Sequence, residues 1–110
     1  MSDFIREEQA QMLIELSERI HEIAKAKGWW NPVPHVGTSL ALMHSELSEA
    51  LEEYRKGDLS DDERVAEELG DCIIRILDFA AYHRLPLVCA LLDKVAYNAV
   101  RPYRHGGKSF

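Results

Sequence analysis

Helical periodicity, broken three times by glycine or proline, constrains this chain more than any other feature. From Ser2 to Lys27 apolar residues recur as Phe4, Ile5, Met12, Leu13, Leu16, Ile20, Ile23 and Ala24, the spacing of an amphipathic helix. Gly28 is a natural left-handed stop, and the prolines of "WWNPVPH" bar any continuation. A second helix is predicted from near Pro34–Thr38 to about Lys56, with Leu40, Met43, Leu47, Ala50, Leu51 and Tyr54 as its apolar stripe. "KGD" breaks it. Ser60-Asp61-Asp62-Glu63 then matches a capping box and starts a third helix, which runs to about His83 before "RLP". A fourth is predicted from Pro86 or Leu87 to about Val100, before Pro102. No strand pattern and no internal repeat intervenes. The expected fold is all-α and four-helix bundle-like, a single domain over 1–110 with a flexible basic tail from about 102.

Composition narrows the function classes. A chain of 110 residues, 46% hydrophobic and 29% charged, can bury a modest core and is no recipe for disorder. Its formal charge of −6 gives no general attraction to nucleic acid or an anionic membrane. No apolar run approaches the ~20 residues that cross a bilayer, and "MSDFIREEQA" lacks the apolar core of a signal peptide. A soluble, cytoplasmic protein is expected. Cys72 and Cys89 lack CxxC spacing and are expected to be buried, reduced thiols.

The acids carry the chemistry. Glu46, Glu49 and Glu53 follow an i, i+3, i+7 pattern beside the apolar stripe of the second helix. Glu68 and Asp71 repeat the i, i+3 spacing on the third, with Arg75 and Asp78 at the next turns of that face. Ala66, Leu69, Ile73, Ile76, Leu77 and Ala80 lie opposite. A single ExxE pair is most often a solvated face, and acids near a helix start also favour the macrodipole by ~0.3–1 kcal/mol. Asp61, Asp62 and Glu63 already fill that first turn, however, and Glu68 lies more than a turn beyond. Two successive helices each bearing a pair would converge in an antiparallel hairpin, and four carboxylates in one place repel unless a cation sits among them. Hard oxygen donors without Cys or His favour Mg²⁺, with Mn²⁺ as the alternative, over zinc. Glu18-x-x-His21 has the local pattern of a di-iron ligand pair, but such a site needs a second Glu-x-x-His, which is missing. Glu18 and His21 are therefore expected at the surface.

Glu46-x-x-Glu49, an 18-residue gap and Glu68-x-x-Asp71, followed by "KVAYNAVRPYRHGGK", resemble the all-α nucleotide pyrophosphohydrolases of the MazG-like family. The likeness spans roughly Trp29 to Lys108. It departs at Ser45 and Ala50, where relatives place further acids. The resemblance implies magnesium-dependent hydrolysis of a nucleoside triphosphate between its α and β phosphates, giving a monophosphate and pyrophosphate. It also implies Glu46, Glu49, Glu68 and Asp71 as metal ligands and a homodimer or dimer of dimers. Glu49 is favoured as the general base.

Phosphates need cationic donors, and Lys94, Asn98 and Arg101 recur at i, i+4 and i+7 with Tyr97 beside them. Arg104, His105 and Lys108 of the tail are candidates to close over the phosphates; a disordered tail is the alternative. Arg75 is expected to bridge Asp71 and Asp78, with contact to phosphate as the alternative. One of Trp29 and Trp30, with His35 nearby, is expected to contact the nucleobase while the other tryptophan anchors the core. The rival reading is a non-enzymatic helical dimerisation module whose acids are a solvated face; another is a metal–carboxylate bundle with a different hydrolytic reaction.

Overall fold

Gly28 ends the first helix, α1 (Asp3–Ala26), in the left-handed conformation with φ +80°. The Trp29 N–H donates to Ala24 O at 3.1 Å and the Gly28 N–H to Lys25 O at 3.0 Å, so two of the terminal carbonyls are satisfied in a Schellman closure. These and the other elements come from a computed structural model that describes residues 3–57 and 63–103. Three further helices follow: α2 (Val36–Lys56), α3 (Glu63–Tyr82) and α4 (Leu87–Val100). Among the described residues there is no strand, and the architecture is all-α as the periodicity requires. Of the expected capping box, only Glu63 lies within the described residues.

His35 caps α2. Its Nδ1 accepts the Gly37 N–H at 3.0 Å. α3 closes like α1, but with Arg84 at φ 54° where glycine would normally stand. The Leu85 N–H reaches Ala80 O at 2.9 Å across that turn. No helix among the described residues is long and apolar enough to cross a membrane.

The chain divides into two compact units, Met1–Glu15 with Pro86–Phe110, and Leu16–Leu85. In the first, Arg6 of α1 pairs with Asp93 of α4. In the second, α2 and α3 run antiparallel: Met43 O accepts from Cys72 Sγ at 3.6 Å, and Glu53 pairs with Arg64 at 3.4 Å nearer the connection. The second half of α1 joins α3 through Ser17, whose hydroxyl donates to Leu77 O at 2.9 Å. Ala24, Ala50, Val65, Cys72, Leu77 and Ala80 are the buried apolar residues of this unit. Small residues here let the helix backbones approach.

Three expectations about burial need correction. Leu69 and Ile73, placed on the packed side of α3, are exposed, as are Leu40, Leu47, Leu51 and Tyr54 of the α2 stripe. Both helices carry apolar residues over more of their circumference than the neighbouring helices of one unit can cover. Cys89 is exposed, with its Sγ 3.8 Å from Asp93 Oδ2 one turn on; only Cys72 is a buried thiol. His21 is no surface residue: its side chain is 14% exposed and bonds to Asp78. A lone ExxH pattern carries no information about a partner on another helix.

Candidate metal centre and its cavity

Carboxylate oxygens of Glu46, Glu68 and Asp71 lie within 4.8 Å of one another, brought together by the antiparallel pairing of α2 and α3. Glu46 is the buried member at 7% exposure, Glu68 is half-buried and Asp71 is exposed. Glu49 stands outside this trio. It is exposed on the next turn of α2, yet close enough to hydrogen-bond with the carboxyls of both Glu46 and Glu68. Three of the four expected ligands are thus in one cluster, with the fourth at its rim.

The cluster is electrostatically strained in a particular direction. Desolvation, followed by proton sharing with Glu46 and Glu49, pushes the Glu68 carboxyl up to about 7. Glu46 moves the opposite way, because a hydrogen bond from Arg75 holds its carboxyl below the usual range against the cost of burial. That bond, Arg75 Nε to Glu46 Oε1, is 2.7 Å long. Arg75 therefore pairs across to α2 rather than bridging Asp71 and Asp78 along its own helix. A buried carboxylate such as Glu46 needs a charge partner, whereas Asp71 is exposed and Asp78 already takes donors from His21 and Trp30. Glu53 has left the series: Lys56 and Arg64 each approach it at 3.4 Å. Ser45 donates its hydroxyl back to Leu42 O at 2.7 Å.

A cavity of about 420 Å³ opens from the acids and is bordered by Trp29, Glu46, Asp71, Ile74, Arg75 and Asp78. A second, of about 280 Å³, shares Trp29, Arg75 and Asp78 with it and is walled by Trp30, Pro34, Leu42, Met43 and Phe79. The two tryptophans have separate tasks. Trp30 is half-buried, stacked on Tyr82 at 4.0 Å and 7°, with its indole N–H donated to Asp78 at 2.9 and 3.0 Å. Trp29 is 62% exposed and offers its ring to both cavities. His35 is committed to capping α2 through Nδ1.

The expected phosphate donors belong to the other compact unit. Lys94, Tyr97 and Asn98 are on α4, while Arg101 is the residue after its end, with extended backbone (φ −78°, ψ 158°). The helical stripe therefore stops at Asn98. Lys94 Nζ and the Arg101 guanidinium carbon lie 5.0 and 5.8 Å from the Tyr97 ring centre, a paired cation–π arrangement. Arg104, His105 and Lys108 lie outside the described residues.

Asp78 and His21 were the members of this site that sequence reasoning undervalued. Asp78 was expected to take a bridge from Arg75, and its contacts come instead from α1 and the α1–α2 connection. No periodicity within α3 could signal them. Compared with known family models, curated proteins and solved structures, the chain matches none.

Proposed function

We propose that the protein is a magnesium-dependent nucleoside triphosphate pyrophosphohydrolase. The observation that carries this reading is the convergence of the Glu46, Glu68 and Asp71 carboxylates within 4.8 Å beside a cavity with an exposed indole. Three hard oxygen donors, one of them with a carboxyl that resists losing its proton while no cation is near, fit Mg²⁺ or Mn²⁺. Glu46, Glu68 and Asp71 would hold the ion, with Glu49 completing the set or acting as base. When bound, such an ion supplies charge neutralisation for phosphate oxygens and a polarised water. Glu49, at the solvent edge of the cluster, is the residue best situated to accept that water's proton. Arg75 lends a guanidinium to the same cavity, and Trp29 a flat apolar face for a base. Lys94, Asn98, Arg101 and Tyr97 complete the proposal as phosphate contacts by resemblance alone.

Pyrophosphate release from a panel of nucleoside triphosphates, with and without Mg²⁺ or Mn²⁺, tests the reading. Glu49→Gln is expected to lower turnover by ~10²-fold or more, in keeping with loss of a general base, while leaving the thermal midpoint near the parent value. Full activity in that variant removes Glu49 from the mechanism. Absence of turnover for every triphosphate removes the enzyme. The exposed Leu47, Leu51, Tyr54, Leu69 and Ile73 favour a homodimer or dimer of dimers, which a solution mass decides.

A further inference from the structure

Asp78 is held by His21 and Trp30 and borders two cavities. His21 Nδ1 lies 2.7 Å from its Oδ1, and because a carboxylate only accepts, that nitrogen carries the proton. The Trp30 N–H is shared between Oδ1 at 2.9 Å and Oδ2 at 3.0 Å. Oδ1 is therefore engaged twice, whereas Oδ2 has only its share of the indole proton and keeps lone-pair capacity. Arg75, the nearby cation, is occupied with Glu46. The carboxyl borders both cavities, the one reaching the acid cluster and the apolar one behind Trp29. Its side chain is 14% exposed, so what solvation it has comes from little open surface.

A pre-oriented acceptor beside an apolar, indole-lined cavity discriminates among flat heterocycles by their hydrogen-bond pattern. We infer that Asp78 selects the nucleobase, its Oδ2 accepting from the exocyclic amino group of cytosine or adenine. This inference rests on the reading of the cavity as a nucleotide site. Thymine and uracil present a carbonyl where cytosine and adenine present that amino group, and their one ring N–H is flanked by two carbonyl oxygens. Setting a carbonyl against a carboxylate leaves both acceptors without a donor, which is the arrangement a polar site rejects most strongly. The fixed edge of Asp78 matters here. His21 and Trp30 prevent the carboxyl from rotating away to relieve the mismatch.

The test is calorimetric titration of the full chain with dAMP, dCMP, dTMP and dUMP in the presence of Mg²⁺, run beside pyrophosphate release from the matching triphosphates. The amino-bearing nucleotides are expected to bind about tenfold or more tightly than the keto pair, the scale of one hydrogen bond to a charged group. Asp78→Asn is expected to reverse the order. Its amide oxygen takes over the bonds from His21 and Trp30, and its NH₂ then faces the cavity as a donor for a base carbonyl. If that variant does not fold, the parent panel still decides. Equal binding of all four, tighter binding of dTMP or dUMP, or no binding of any overturns the inference. So does a uniform loss in Asp78→Asn with the ratio unchanged, which would make Asp78 a purely structural anchor. Base preference without pyrophosphate release keeps the role of Asp78 and sinks the hydrolase. Pyrophosphate release without base preference does the reverse.

Discussion

Glu68 is the residue whose behaviour says most about the acid cluster. Its folded-state carboxyl titrates near 7 instead of near 4.5, so between those values the folded chain holds a proton that the unfolded chain has lost. Stability contributed by that proton is complete below about 4.5 and disappears as pH rises through 7. In metal-free protein the thermal midpoint is expected to fall across this window, and Glu68→Gln is expected to flatten the decline. A midpoint that climbs steadily from pH 5 to 7.5 in the parent, with the same slope in the variant, contradicts the strained cluster. Trp29 and Trp30 supply a second contrast between neighbours. Trp30→Ala removes a ring stacked on Tyr82 and leaves the Asp78 carboxyl with His21 as its remaining donor, so it should cost about 3–5 kcal/mol in urea denaturation. Trp29→Ala, at an exposed position, should change stability by no more than ~0.5 kcal/mol and act on nucleotide affinity instead.

At the scale of the elements, periodicity and breakers located the helix ends to within a residue or two, apart from the start of α3, whose expected cap lies outside the described residues. Gly28, "NPVP" and "RLP" act locally, through backbone geometry that a linear sequence already contains. The pairing of Glu46 with Glu68 and Asp71 was legible because two identical spacings on successive helices leave one antiparallel register to join them. Contacts such as His21–Asp78 and Arg75–Glu46 were not, since each side chain has several plausible partners until the helices are docked. The turn at Arg84 was also hidden, because nothing in "HRLP" demands that a bulky residue enter the left-handed region. There Arg84→Gly should relieve ~1–2 kcal/mol of steric cost while freeing the unfolded chain by ~0.4–1 kcal/mol. The net gain expected is about 0.5 kcal/mol, seen as a higher urea midpoint with an unchanged slope. A lower midpoint would mean that the arginine side chain holds the turn.

For the whole molecule, the exposed apolar residues of α2 and α3 set the expectation. Leu47, Leu51, Leu69 and Ile73 on a chain of this size are more than a monomer normally leaves in water. Ile73→Glu is expected to halve the solution mass, or to lower the midpoint in a concentration-dependent way, by light scattering and thermal melting. A parent protein that is already monomeric at micromolar concentration ends that expectation. One consequence concerns the guanidinium of Arg75, which sits 2.7 Å from the most buried acid of the cluster. It is a competitor that cannot diffuse away. A tethered group of this kind acts at an effective concentration on the order of millimolar or above, so a dissolved divalent cation meets a standing competitor at Oε1 of Glu46.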